Sequence, residues 1–418
     1  MSEAIRTSDG ELLSVKLKKV ESRRRTTALL LVAPLLIFIL LAYIFPILQM
    51  MTRSVDNTEM NTLLAKTHVV IQQWDGKEMP GEDVTSTFYY EFRDLVENKK
   101  HGKIATRLNY EKGGFTSLIK KTARKLDTFD ESENFLEQFM GVHKRWKDIE
   151  YWLALKRSTV SYHGRKYLTA FDYEQKFDGS FEKIPEKKRI NVTLWLRTIF
   201  VAVGVTFSCF LLAYPIAHLL SVLPVRYSNL LMICVLLPFW TSLLVRTSSW
   251  MVLLQKQGVL NDILVWAGIV ADEGRLELMY NMTGTFIAMT QILLPFMVLP
   301  LYSVMKTIPP SLMRAATSMG STPFHAFRKI YFPLTYPGIS AGSILVFVLA
   351  IGYYITPALV GGAKGVLISN RIAYHMQKSL DWGLATAMAA VLLIAVLIVY
   401  WLYTVSYTHL TLPTNREV

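Results

Sequence analysis

The side chains best placed to do chemistry in this sequence are aromatic, hydroxylic and basic rather than acidic. Two stretches carry them: "LPFWTSLLVRTSSW", Leu237 to Trp250, holds Trp240 and Arg246, and "GYYITPALVGG", Gly352 to Gly362, holds Tyr353, Tyr354 and Thr356. Ring faces attract organic cations, worth ~0.5 to 2 kcal/mol each according to how dry the site is. The guanidinium of Arg246 suits an anion instead. Both are binding chemistries, and neither makes or breaks a bond. Each residue also has an ordinary reading: aromatic side chains near the ends of membrane spans anchor in the interface, and an arginine near a helix end snorkels to water.

A third stretch, "RAATSMGSTPFHAFRKIYFP" from Arg314 to Pro333, is built to turn rather than to react. Pro309 and Pro310 favour a helix start, after which Leu312, Ala315, Ala316 and Met319 fall at i, i+3, i+4 and i+7 as one narrow apolar stripe. Two alanines on that stripe permit close approach. Gly320 suits the left-handed position that ends a helix, and Thr322 with Pro323 makes an N-cap and first turn for a second short helix through about Ile330. The stripe needs a cover, either a groove on a partner protein or this chain's own helices. No G-x-x-x-x-G-K-[ST] phosphate cradle occurs, and "GGAKG" at 361 to 365 has the wrong spacing. The chain is therefore read as non-catalytic and as binding no cofactor, with any nucleotide held by another subunit. Cys209 and Cys234 sit in apolar runs as packing residues, so neither a metal site nor a disulfide is expected.

The elements that hold these stretches are read as membrane spans. The chain has 418 residues, 52% of them hydrophobic, mean hydropathy +0.30 and formal charge +13, which suits a membrane protein with basic cytoplasmic loops. Nucleic-acid binding is set aside, because the basic residues are scattered among apolar spans. Six segments, at roughly 27 to 50, 196 to 221, 230 to 250, 281 to 305, 339 to 358 and 385 to 404, meet the ~20-residue length of a membrane-crossing helix. Lys16, Lys18, Lys19, Arg23, Arg24 and Arg25 precede the first, which is too long for a signal peptide and is read as a retained anchor. Those basic residues place the N-terminus in the cytoplasm, and counting spans from there places the 306 to 338 loop, with Lys306, Arg314, Arg328 and Lys329, in the cytoplasm too. The same count puts the segment from about 51 to 190 outside. Within it "FLEQFMGVHKRWKDIEYWLALKR" repeats Phe135, Phe139, Val142, Trp146, Ile149 and Leu153 at helical spacing, so a small, mostly helical domain is expected there. It is either a docking surface or a solvated insertion.

Ala315, Ala316, Gly320, Ile330 and Pro333 stand at the spacing of the cytoplasmic signature of ATP-binding-cassette importer permeases, which this loop resembles. That signature usually has glutamate at the place of Arg314 and leucine at that of Phe332. The stretches around Trp240 and Tyr353 resemble the spermidine/putrescine branch, which also contains importers of iron(III), phosphonates and opine-like compounds. The resemblance implies an all-α type I permease with six transmembrane helices and, here, a large periplasmic insertion between the first and second. It also implies the partners: two ATPase subunits that carry ATP and Mg, a second permease, most simply a hetero-dimer, and a periplasmic substrate-binding protein. Leu312, Arg314, Ala315, Ala316, Met319, Gly320, Ile330 and Pro333 then form the ATPase-coupling loop. Trp240, Arg246, Tyr353, Tyr354 and Thr356 are the candidate substrate path. The spans contain no Asp or Glu, so a cationic cargo would lean on aromatic faces, on Asp381 or on the partner permease.

The expected organisation is a basic cytoplasmic N-terminus at roughly 1–26, the first span at 27–50, a periplasmic insertion at 51–190, and a core of five spans at 191–405 in a bacterial inner membrane, in accord with the span criterion. The remainder, 406–418, ends in "SYTHLTLPTNREV", lacks the preceding periodicity and is expected to be non-native or disordered. An anchor followed by an outer domain is also the layout of a membrane sensor, but four further spans follow here where a sensor carries a signalling domain.

Overall fold

A computed structural model of the chain describes residues 13–363 and 365–411. The earlier part of the N-terminus, Lys364 of the "GGAKG" stretch and the end of the tail lie outside the described residues. The chain opens with α1 (Leu13–Ile39), a π-helical turn (Leu40–Ile44) and α2 (Phe45–Thr52), which together expose leucine, isoleucine and phenylalanine on every side. Water cannot cover such a rod, so lipid or other membrane helices must.

The outer segment follows: α3 (Thr58–Leu63), α4 (Ala65–Gln73), α5 (Glu82–Glu97), α6 (His101–Glu111), α7 (Phe115–Lys125), α8 (Phe135–Val142), α9 (Ile149–Ser158), α10 (Arg165–Ala170) and a hairpin of β1 (Tyr173–Gln175) and β2 (Phe181–Lys183). Its core is aromatic. Phe88, Phe92, Phe115, Phe139, Trp146 and Trp152 are fully buried, with Trp146 and Trp152 at 4.7 Å between ring centroids. The indole N–H groups find partners, Trp146 donating to the Thr122 hydroxyl at 3.0 Å and Trp152 to the Trp146 carbonyl at 3.1 Å. The stretch from Phe135 to Leu153 folds as helices, as its spacing suggests, divided in two because His143 and Asp148 each cap a new turn by accepting from a backbone N–H two residues on. Phe135, Phe139 and Trp146 still face the core. Val142, Ile149 and Leu153 are only half-buried, and Trp152 and Leu155 take their place inward.

The core contains α11 (Asn191–Val222), α12 (Val225–Leu236) with a 3-10 turn (Leu237–Trp240), α13 (Leu243–Leu253), α14 (Val259–Trp266) and α15 (Met282–Thr307). It continues with α16 (Pro310–Ser318), α17 (Pro323–Ala326), a π-helical turn (Phe327–Tyr331), α18 (Phe332–Leu334), α19 (Tyr336–Gly352), α20 (Ile355–Val360), α21 (Ile368–Gln377) and α22 (Trp382–Thr411). Among the described residues four helices are long and apolar enough to cross a membrane, Val20–Thr52, Asn191–Val222, Met282–Thr307 and Trp382–Val405. Two bent pairs raise that to as many as six if each is one span: Val225–Trp240 with Leu243–Leu253, at 99°, and Pro323–Leu334 with Tyr336–Gly352, at 58°. The segments expected as spans at 230 to 250 and 339 to 358 are each interrupted. The first is broken at Thr241, and the second ends at Gly352 before an extended Tyr353 and a non-helical Tyr354. The tail also differs, since α22 runs six residues past the expected boundary at 405. α11, α15 and α19 form the packed centre, and Gly342 lets α19 approach so closely that an added Cβ would meet the Met297 sulfur at 2.6 Å.

Outer segment and core meet at one joint. The Asp172 carboxylate accepts from the backbone N–H groups of Asn191 at 3.1 Å and Val192 at 2.8 Å, so it caps α11 from outside the helix. Lys166 pairs with Asp381 at 2.9 Å, and Asp381 in turn accepts from the Leu384 N–H at 3.1 Å at the head of α22. Beneath them Ala170, Leu194, Ile368, Leu384 and Met388 close into an apolar cluster. Glu111 sits between Arg157 at 2.7 Å and Arg165 at 3.1 Å. Burial works to raise its carboxyl, yet Arg165, Arg157 and Lys166 together outweigh burial and hold it below its ordinary value.

Burial, with Arg165 adjacent, pushes His163 down to about 4, and burial with Arg371 adjacent pushes His375 down to about 4. Both therefore stay neutral in the folded joint where the unfolded chain, titrating near 6.5, takes up protons. Between those values the unfolded state binds more protons, so stability falls as pH falls. The depressed Glu111 carboxyl acts in the same direction further down, as pH drops through its folded value. The melting temperature of the purified chain should accordingly be lower at pH 5 than at pH 7, and His163→Gln with His375→Gln should flatten part of that slope. A wild-type melting temperature equal at the two pH values contradicts this account of the joint.

Candidate translocation path and coupling loop

The break at Thr241 turns the chain back on itself, and Ser242 starts α13 by accepting from the Val245 N–H at 3.2 Å. The second break, at Tyr353 and Tyr354, brings α20 against α13. Thr247 and Thr356, both fully buried, meet there with hydroxyl oxygens 3.2 Å apart. An unwound backbone at membrane depth needs partners for its carbonyls. α21 supplies them: the Ser369 hydroxyl donates to the Tyr353 carbonyl and the Asn370 amide to the Tyr354 carbonyl, each at 2.6 Å. Trp250 donates its indole N–H to Gln291 at 3.0 Å, tying α13 to α15.

Arg246 lies one residue before Thr247, within electrostatic reach of Tyr353, and its buried Nε has no hydrogen-bond partner among the described residues. Tyr354 lines an apolar groove of about 630 Å³ together with Ser369, Gln377 and Trp382. The structure thus draws Arg246, Tyr353 and Thr356 together, while Tyr354 lines the separate groove. Trp240 stays apart, 81% exposed at the elbow and outside this hydrogen-bonded set. Asp381, considered above as a counter-charge, is instead held by Lys166 in the joint. Thr247, Ser369 and Asn370 were not legible as partners. Their only signal in the sequence is that hydroxyl and amide side chains flank stretches rich in proline and glycine.

The coupling stretch folds as its residues suggest. Pro310 begins α16, and Gly320 takes φ +87° just past its end. Ser321 N–H donates to the Ala316 carbonyl at 3.1 Å and Gly320 N–H to the Thr317 carbonyl at 3.0 Å, the paired bonds of a Schellman ending. The Thr322 hydroxyl caps α17 by accepting from the His325 N–H at 3.4 Å. The second helix runs on past Ile330 to Leu334 through the π turn. Ala316 is buried against the chain, while Leu312, Arg314, Ala315 and Met319, the last 88% exposed, stay on the outside. Ile330 and Pro333 are half-buried.

Behind the loop an aromatic seam joins it to α11: Tyr214 faces Phe332 at 5.7 Å, and His218 Nδ1 shares a hydrogen bond with the Tyr331 hydroxyl at 3.1 Å. That seam was missed in the sequence. Phe327, Tyr331 and Phe332 recur at i, i+4 and i+5, which would have marked it.

With these two constellations in place the comparisons decide the family. Residues 196–411 match the family described as "Binding-protein-dependent transport system inner membrane component". The chain belongs to that family. The spermidine/putrescine transport system permease protein PotB of Salmonella typhimurium (strain SL1344) is 36% identical over 209 residues, 49% of this chain and 72% of the relative. The inner membrane ABC transporter permease protein YdcU of Escherichia coli (strain K12) is 34% identical over 226 residues, 51% of this chain and 70% of the relative. A bacterial ABC transporter involved in the import of the acidic polysaccharide alginate aligns at TM-score 0.49 with 15% identity, covering 71% of this chain and 99% of that one. As an importer permease of the inner membrane, the chain is a transport subunit, and the family match begins after the outer segment.

The left-handed turn gives the first test of the loop. Gly320 has open space around it, so Gly320→Val is penalised through backbone conformation alone, by roughly 1 kcal/mol or more. Gly320→Asn, which tolerates positive φ, should be milder. Import in cells should rank glycine above asparagine above valine, with faster amide exchange at Ser321 in the valine variant. Equal import by all three would remove this turn from energy coupling.

Proposed function

We propose that this chain forms half of the membrane pathway of an ABC importer for a polyamine or a related organic amine, driven by ATP hydrolysis on separate subunits. The observation that carries the reading is the 36% identity to spermidine/putrescine permeases across the core, joined to the tyrosine pair at the α19–α20 break. The bent α12–α13 pair counts as one span in this reading and α19 as another, which makes six with the four long helices and leaves Pro323–Leu334 in the cytoplasmic loop. The N-terminus faces the cytoplasm, and residues 51–190 form a periplasmic insertion, by the basic-residue count. Leu312, Ala315 and Met319 offer an exposed apolar stripe to an ATPase cleft, with Ala316 and Gly320 holding its angle. Two ATPases carrying ATP and Mg, a second permease and a periplasmic binding protein complete the assembly, and the chain itself performs no catalysis. The outer segment stands beside the external mouth and contributes to capture of the binding protein. Domain boundaries follow the described elements, with the core running to the end of α22.

Arg246 favours a second reading. It is a cation without a carboxylate partner among the described residues, next to the path, and it suits an anionic cargo such as a phosphonate, or an iron(III) complex or opine-like compound that carries carboxylates.

Two measurements decide. Uptake of a polyamine and of an anionic phosphonate is compared for Trp240→Ala, Arg246→Ala, Tyr353→Ala and Tyr354→Ala. An amine cargo predicts a several-fold loss in Tyr353→Ala and Tyr354→Ala and mild effects of Tyr→Phe, which keeps the ring face. An anionic cargo predicts the greatest loss in Arg246→Ala. Normal uptake of both compounds by all four variants removes these residues from the path. Separately, replacing residues 57–188 by a short flexible linker should weaken binding of the substrate-loaded binding protein, and unchanged affinity would reduce the outer segment to a spacer.

A further inference from the structure

We propose that the β1–β2 hairpin and the Lys187-Lys188-Arg189 run after it form a docking surface for the anionic phospholipid headgroups of the leaflet at which α11 enters the membrane. The register of the hairpin pairs Tyr173 with Lys183 and Gln175 with Phe181, which puts these four on one face, while Glu174 opposite Glu182 lies on the other. The acidic face is partly neutralised internally, since Lys176 pairs with Glu182 at 2.6 Å. The aromatic and basic face is open: Phe181 is 62% exposed, Tyr173 38%, and the Lys183 ammonium stands 5.9 Å from the Tyr173 ring. Lys187, Lys188 and Arg189 follow, all exposed. No ion pair among the described residues engages them or Lys183.

The hairpin is fixed at one depth. The Ile184 N–H donates to the Asp172 carbonyl at 2.9 Å, closing its base, and the carboxylate of the same Asp172 caps the first turn of α11. Phe171 stacks on Trp195 of that turn at 6.1 Å and 21°. From Val192 onward α11 shows an exposed apolar stripe through Leu196, Ile199, Phe200, Val203 and Phe207. The helix rises ~1.5 Å per residue, so its first residue, Asn191, stands roughly 8 Å along the axis from Leu196, and the Lys187–Arg189 run immediately precedes it, at the headgroup layer above the hydrocarbon. Aromatic rings and basic side chains at that depth, without carboxylate partners, match phosphodiester anions flanked by acyl chains. Basic clusters on the outer side of a span run against the usual loop bias, so the bias does not account for this one.

The test uses the full chain in nanodiscs. Phe181→Cys carries an environment-sensitive dye in a Cys209→Ala, Cys234→Ser background, and retained phosphatidylglycerol is counted after detergent washing. Emission should shift to the blue in discs containing phosphatidylglycerol and much less in pure phosphatidylcholine. Neutralising Lys183, Lys187, Lys188 and Arg189 to Gln should reverse the shift and cut retained phosphatidylglycerol about tenfold, as several basic residues near an anionic surface imply. Replacing the three lysines by arginine should keep both signals. Identical emission in all discs overturns the proposal. So does equal lipid loss when the exposed Lys120, Lys121, Arg124 and Lys125 of α7 are neutralised instead, which would mark nonspecific attraction. Release of the lipid by millimolar inorganic phosphate would identify a free-anion site, and a blue shift only on adding the binding protein would identify a protein contact; either result also rejects lipid docking.

Discussion

The carboxylate of Asp172 on the head of α11 is the contact through which the two halves of this protein become one body. A helix N-terminus leaves backbone N–H groups without partners, and where that end is covered by protein they must be satisfied by something other than water. Here the partner comes from the outer segment, two residues after α10. Asp381 performs the parallel task for α22 and is itself fixed by Lys166 of α10. One short helix therefore sets the position of two membrane helices, and Ala170, Leu194, Ile368, Leu384 and Met388 seal the space between. Asp172 holds φ +62° to do so, a conformation that costs of order 1 kcal/mol for a residue with a Cβ and persists only where the surroundings demand it. Had the outer segment hung on flexible linkers, none of these charges would need burying.

Much of the architecture was legible because it depends on local rules. The proline start, the alanine stripe, the left-handed glycine and the Thr322 cap of the coupling stretch are all near-neighbour effects, and each appears where its residue type places it. Helix lengths in α11, α15 and α22 followed from apolar run length. What was not legible depends on partners far along the chain. The bend after Trp240 and the break at Tyr353 lie close to Pro238 and Pro357, where an irregular helix is expected, but the side chains that support them, Thr356 for Thr247 and Ser369 and Asn370 for the tyrosine carbonyls, arrive from elsewhere. The interruption of the outer helix at His143 has the opposite cause: two local caps overrode an apolar periodicity that would have tolerated a straight helix. Asp381 looked available to a cargo only because Lys166, more than two hundred residues earlier, could not be paired with it from sequence.

The same bookkeeping constrains the path. A carboxylate at membrane depth must be paired or pay a large desolvation cost, and hydroxyls and amides carry a smaller one. This core spends its polarity on neutral groups: threonine to threonine, serine and asparagine to backbone carbonyls, and indole to glutamine. Neutral groups of that kind hold bent helices in place without binding an ion tightly, which suits a passage that must release what it accepts. Charges are few: Arg197 of α11 donates to the Val366 carbonyl at 3.3 Å, and Arg246 places the one charge of α13 next to Thr247, beside the hydroxyl pair. A cation repels other cations at close range and attracts anions directly, so Arg246 sets the sign of the local field beside that pair, while the neutral groups that support the Tyr353 and Tyr354 carbonyls add no charge to it.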